Sequence, residues 1–226
     1  MGTSTNRFVL DKTGFPLIWV KSVKSYVHFL PITKIQTEAF IAHYQNTKFN
    51  DGWYAELLSL NPRISPQFVG KNDYWRLFIT GVFPSEAGEI AMWFKTADYD
   101  YSFPSVSTWM LIYNETKEER PIANISAIPV HNERIRLLVK KACTISKEIT
   151  EENNRPYTLA DQMFLRYGVL EWTVDDHNNQ KWGGMGQTDA NFEPILAVPE
   201  SGKPQFPKNP HQDRIYYYGF RLLRRR

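Results

Sequence analysis

Residues Val169-Leu-Glu-Trp-Thr-Val174 decide how this chain is read. The stretch is rich in β-branched and apolar residues and free of glycine and proline, so it predicts a strand. Side chains alternate along a strand, which puts Glu171 and Trp172 on opposite faces. One of the two is expected in the core and the other toward a loop. From about residue 165 onward the pattern is one of short strands and long turns, whereas the chain before it carries helical periods.

Three helix starts lie on the N-terminal side. Thr33 is an N-cap with Gln36 three residues on, a capping box. Ile35, Ala39, Phe40 and Tyr44 follow at helical spacing, and the helix is expected to end near Asn46. Pro84-Ser-Glu-Ala87 opens a second helix with proline in its first turn. Its buried face is Ala87, Ile90, Ala91 and Phe94, widened by Trp93. Pro104 and Ser105 open a short third helix with Trp109 on its buried side. Residues 17–20 and 26–32 read as short strands. Residues 47–80 are mixed, with Asn61-Pro-Arg-Ile-Ser-Pro66 as a loop signal. Over 114–156 two readings stay open. Ile135, Leu137 and Val139 alternate as in a strand, while Ile135, Leu138, Val139 and Ala142 fit a helix. An inserted or irregular subregion is expected there, with Lys140, Lys141, Lys147 and Glu148–Glu152 as a solvated face or loop.

On the C-terminal side, residues 175–181 form a polar loop and Trp182-Gly-Gly-Met-Gly186 a glycine-rich bend. Residues 187–214 hold five prolines and read as mostly irregular. Ile215–Leu223 reads as one last strand. This much irregular chain inside a folded domain is usually functional.

The 226 residues suit a single domain over 1–226, with its core at about 17–223. Aromatic residues reach 15%, which favours a loop-rich domain with aromatic anchors over a helical bundle. The formal charge is +3, yet without Arg221, Arg224, Arg225 and Arg226 the remainder is 23 basic against 24 acidic residues. The body has no excess to supply a broad basic face, so nucleic acid is not the expected partner. The one cysteine, Cys143, excludes an internal disulfide and a cysteine-based metal cluster. The first residues lack the apolar stretch of a secretory signal, and no apolar run is long enough to span a bilayer. A cytoplasmic protein without a membrane partner is the expectation.

Taken in order, several segments resemble the formylglycine-generating-enzyme (sulfatase-modifying-factor) domain family, a variant of the C-type lectin fold. Thr33–Phe40 is similar to that family's first helix start, and Gly81–Phe94 to its G-V-S-W-x-x-A helix. Tyr101–Trp109 resembles Y-R-L-P-T-E-A-E-W, and Gly168–Thr173 resembles N-V-W-E-W-T. Trp182–Gly186 sits where R-G-G-S-W belongs, and Gly219-Phe-Arg-Leu222 matches the closing G-F-R-L. The resemblance implies an α+β, C-type-lectin-like fold with two main helices around short twisted antiparallel strands. Trp93, Trp109, Trp172, Phe220 and Arg221 then read as scaffold, with Arg221 anchoring a buried hydrogen-bond network through its planar fork.

The family's oxidase uses a late cysteine pair, and this chain has no cysteine after Cys143. Another branch uses iron on three histidines; here His28, His43, His131, His177 and His211 show no metal-ligand spacing. Neither a nucleophile elbow nor a phosphate-binding glycine loop occurs. The expectation is therefore no enzyme, no catalytic residue, no metal ligand and no cofactor, with a Ca²⁺ site in the 175–191 loops as a lesser alternative. A non-catalytic branch, the variable proteins of diversity-generating retroelements, binds ligands through a segment between the strand and G-F-R motifs. Residues 175–218 resemble that segment in position and in their Asn, Asp, His and Tyr content, although Trp182–Gly186 departs from the family pattern. The resemblance implies a ligand-binding module for a protein or other macromolecule. Its anchors would be Trp182, Phe192, Tyr216 and Tyr217, with Asn178, Asn179, Asp189, Asn191 and His211 at the rim. If Phe220 is core, Tyr216 and Tyr218 follow it inward and Tyr217 faces out. A sensor or adaptor domain of a bacterial signalling or defence system, and a metal-dependent oxidoreductase of the same family, are the alternatives.

Overall fold

The structure, a computed structural model, describes residues 6–44, 48–60, 77–152, 154–164, 170–174, 183–187, 194–197, 214 and 218–226. Along the chain run β1 (Phe8–Leu10), β2 (Pro16–Val20), β3 (Ser25–His28), α1 (Lys34–Tyr44), α2 (Asp51–Leu60) and α3 (Pro84–Phe94). Then come β4 (Asp100–Ser102), α4 (Val106–Lys117), a 3₁₀ turn (Ile125–Ala127), α5 (Glu133–Glu152) and α6 (Leu159–Met163). The C-terminal part holds β5 (Leu170–Thr173), β6 (Gly183–Gln187), β7 (Pro194–Ala197), β8 (Tyr218–Phe220) and β9 (Leu223–Arg225).

These elements make an α+β fold with two sheets. One sheet has the order β1-β2-β3-β9-β4 and is antiparallel throughout; the other has the order β7-β6-β5-β8. In the second sheet β5 and β8 run parallel, a departure from the all-antiparallel expectation. Six α-helices, rather than two main ones, surround the sheets among the described residues.

Local chemistry explains most helix starts. Thr33 and Gln36 form the capping box at α1: the Thr33 N–H donates to Gln36 Oε1 at 2.9 Å, and the Gln36 N–H to Thr33 Oγ1 at 3.3 Å. Ser105 Oγ accepts the Thr108 N–H at 3.2 Å to begin α4. Asn132 Oδ1 accepts from the Arg134 and Ile135 N–H groups at the mouth of α5. At α3 the Glu86 carboxylate takes the Phe83 N–H at 2.8 Å, and Pro84 supplies the first turn.

Residues 114–156 correct the expectation most. Instead of an irregular subregion they hold the longest helix, α5, of 20 residues. Ile135, Leu138, Val139 and Ala142 are buried, whereas Leu137 is 56% exposed, so the 3.6-residue period wins over alternation. Lys140, Lys141, Lys147, Glu148, Glu151 and Glu152 form the exposed face of that helix, while Ile149 and Thr150 between them are buried. α2, inside the mixed stretch 47–80, has Trp53 and Leu57 buried; the Asn61–Pro66 loop signal lies outside the described residues.

Two hydrophobic clusters form the core. The first joins β2 and β3 to Trp109, Ile112 and Tyr113 of α4, the buried face of α5, and α6. The second joins Phe40, Trp53, Leu57 and the apolar face of α3 to Leu170, Trp172, Tyr218 and Phe220. Neighbours Leu222 and Leu223 belong to different clusters, so the end of the chain is the seam between them. The last strand expected over 215–223 is therefore two strands, β8 and β9, one in each sheet. Arg224 and Arg225 belong to β9, which is paired on both sides, so these arginines are part of the folded body.

Candidate functional site

The second sheet places its site around the ends of β5 and β8. Glu171 and Trp172 are 2% and 1% exposed, so both faces of β5 are covered and neither residue turns to a loop. Glu171 is buried because a buried arginine meets it. Arg221 donates from Nε to Glu171 Oε2 at 3.0 Å and from Nη2 to Oε1 at 2.8 Å, the bidentate fork geometry. Its Nη1 donates to the carbonyls of His28 (2.7 Å) and Phe29 (3.1 Å), and its Nη2 also reaches the Met163 carbonyl. All five guanidinium N–H groups are thus used. Trp109 Nε1 donates to the same Glu171 carboxylate at 3.1 Å, and Phe164 lies 4.5 Å beneath the guanidinium. The expected anchoring role of Arg221 is met by this network.

β8 returns beside β5 in register, Leu170 opposite Tyr218, Glu171 opposite Gly219 and Trp172 opposite Phe220. β6 and β7, which lie between β5 and β8 in the chain, are strands of the same sheet, so β8 takes the free side of β5. On the other side β6 and β7 extend the sheet, so Trp182–Gly186 is not a bend from Gly183 onward but a paired strand. Glycines carry no side-chain period, and pairing on both edges sets their extended backbone.

The returning chain is fastened once more at Arg214. Its guanidinium donates to Glu86 Oε2 at 2.7 Å and Oε1 at 2.9 Å, to Glu56 Oε1 at 2.7 Å and to the Gly81 carbonyl at 3.0 Å. Phe83 lies 4.3 Å from it. Burial by itself would lower the Arg214 pKa; the hydrogen bonds and charges of Glu86 and Glu56 outweigh it and hold the group above its usual range. Glu86 also accepts Trp53 Nε1 at 2.8 Å, which ties α2 and α3 into the same cluster. Gly81, at φ 80°, adopts a conformation suited to glycine, and its N–H donates to the Tyr218 carbonyl at 3.0 Å.

The binding residues expected from the sequence are Trp182, Tyr217, Tyr216, Phe192, Asn178, Asn179, Asp189, Asn191 and His211. All of them lie outside the described residues, as do Asp175, Asp176 and His177. The structure does place their frame: Gly183 begins β6 next to Trp182, and Tyr218 begins β8 next to Tyr217. Tyr218 and Phe220 are fully buried, the inward side expected for that alternation.

The reactive groups sit elsewhere. Burial pushes the Cys143 thiol up to about 12, so it is protonated at neutral pH and a poor nucleophile. Among the described residues no group of three His, Cys, Asp or Glu side chains is arranged to hold a metal ion. No helix there is long and apolar enough to cross a membrane.

One polar cluster was not legible as such. Asp11 accepts from Thr13 N (2.7 Å), Thr13 Oγ1 (2.6 Å), Phe15 N (3.0 Å) and Gln36 Nε2 (2.9 Å), and its Oδ2 lies 2.9 Å from His28 Nε2. The signal for half of it was Asp11-x-Thr13 before a glycine, an Asx-type turn. The His28 and Gln36 contacts come from segments that only folding brings together. Burial by itself would raise the Asp11 pKa; His28, Thr13 and Phe15 outweigh it and hold the carboxylate below its ordinary value.

Compared with protein-family models, with curated proteins and with solved structures, the chain finds no match in any of the three.

Proposed function

We propose that the chain is a non-catalytic recognition module, a C-type-lectin-like frame of the formylglycine-generating-enzyme type whose residues 175–217 capture a protein or other macromolecule. The observation that carries the reading is the locked base of that segment. Its two ends are adjacent strands, β5 and β8, joined by the buried Glu171–Arg221 pair. Stretches of the segment outside β6 and β7 can vary in sequence without loosening the frame, and binding residues are commonly carried on loops positioned this way. Tyrosine and tryptophan offer large contact area at low entropic cost, and asparagine and aspartate supply adaptable hydrogen bonds. The likeness of residues 175–218 to the ligand-binding segment of retroelement variable proteins supports the same reading.

The test is affinity capture from cell extract, followed by direct titration of each captured partner against the purified chain. The double variant Trp182→Ala, Tyr217→Ala should lose partner binding by about a hundredfold or more, since two aromatic anchors are removed. It should still melt cooperatively at the wild-type temperature. Partner binding that survives the double substitution overturns this surface.

A further inference from the structure

A second recognition surface lies on the five-stranded sheet, away from residues 175–217. Trp19, Tyr26 and Arg224 are register partners on three consecutive strands, β2, β3 and β9, so their side chains share one face. The opposite face, carrying Ile18, Val27 and Leu223, is core. Trp19 meets the Tyr26 ring edge-on, with centroids 5.1 Å apart. The Arg224 guanidinium lies 5.0 Å from the Tyr26 ring and 4.3 Å from the Tyr99 ring. Together these groups form the floor of an open cleft of about 720 Å³.

Lys24, Arg225 and Arg226 also line this cleft, and all three are exposed. Lys24 is held at the rim by a left-handed backbone, φ 47°, at the end of the β2–β3 turn. No Asp or Glu side chain lines the cleft among the described residues. Asp100, the register partner of Arg225, bonds Lys95 at 2.7 Å. Arg224 makes a side-chain hydrogen bond to Tyr101 and a 3.3 Å bond to the Leu10 carbonyl, while its Nε is buried without a hydrogen-bond partner. Lys24, Arg224 and Arg226, gathered around aromatic rings with no Asp or Glu side chain among them, repel one another until an anion arrives.

We propose that this cleft binds a nucleotide, the base stacking on the Trp19–Tyr26–Tyr99 surface and the phosphates held by Lys24 and Arg226. A bare phosphate would leave the aromatic floor unused, and the cleft is much larger than one phosphate requires. A planar base has a π-face for such a floor whatever its identity, and guanidinium groups suit phosphate oxygens. The volume falls in the range of small-ligand sites. The proposal is independent of the role given to residues 175–217.

Calorimetric titration of the full chain with ATP, tripolyphosphate, adenosine and a short single-stranded oligonucleotide tests it. ATP should bind more tightly than either tripolyphosphate or adenosine. K24E/R226E, on exposed side chains, should abolish ATP binding at an unchanged melting temperature. Trp19→Ala should weaken ATP by about tenfold, the loss of one stacking platform. ATP preferred over the oligonucleotide identifies a free nucleotide; the reverse, with an affinity that falls steeply with salt, identifies a nucleotide within a strand. Either result supports the site. Tripolyphosphate binding as tightly as ATP, ATP binding unaffected by K24E/R226E, or no binding of any nucleotide overturns it.

Discussion

Asp11 shows how much a single residue can carry. Its carboxylate is buried, and every hydrogen bond it accepts stabilises the ionised form. His28, its partner at 2.9 Å, is 1% exposed and stands between the rings of Phe94 and Tyr101. Because the folded pKa of Asp11 is depressed, its contribution to stability is fully present above the ordinary carboxylate value of 3.8 and is lost as the pH falls below it. Asp11→Asn should therefore cost about 1–3 kcal/mol at neutral pH, the usual penalty for depriving buried donors of a charged acceptor. The gap between wild type and variant should narrow as the pH drops below the ordinary carboxylate range. Urea denaturation of both proteins across that range measures it; a gap independent of pH would refute the assignment.

At the scale of the element, α5 is decided by which apolar residues face inward. Ile149 is fully buried, whereas Leu137 is 56% exposed on the opposite side. The two are similar in chemistry and opposite in environment. Ile149→Ala should destabilise the protein by about 2–4 kcal/mol through lost burial and an unfilled cavity. Leu137→Gln should change stability by less than about 0.5 kcal/mol. Chemical denaturation of the two variants separates them, and equal costs would mean that the helix is rotated from the described position. Gly14 bears on the same helix. It turns the chain from β1 to β2 at φ 90°, and a Cβ there would lie 3.4 Å from Ile135 Cδ1.

For the whole molecule the joint is Glu171 with Arg221. The pair links β5 to the strand junction at Leu222–Leu223, where the chain passes from one hydrophobic cluster to the other. Trp109 from α4 and the carbonyls of His28, Phe29 and Met163 complete it, so three distant segments converge on one guanidinium and its carboxylate. Glu171→Gln keeps the size but leaves a buried arginine without its counter-charge. It should cost about 3–5 kcal/mol. Near-UV circular dichroism and urea denaturation should show a loosened environment for the tryptophans together with the lost stability. A variant as stable as wild type would mean the pair is not the joint.

The structural role of Arg221 followed from the family resemblance, whereas the residue patterns alone sufficed for α1, α3 and α4 and for β2 and β5. Those elements rest on capping chemistry and apolar spacing within about a dozen residues, which a linear reading contains. α5 was ambiguous because Ile135, Leu137, Leu138 and Val139 satisfy two periods at once, and only packing against β2, β3 and α6 chose between them. The parallel return of β8, the division of the last strand between two sheets, the burial of Glu171 and the gathering of Trp19, Tyr26 and Arg224 all required tertiary structure. Each is a meeting of residues far apart in the chain, and local propensity carries no information about which distant partner will supply the missing hydrogen bond or charge.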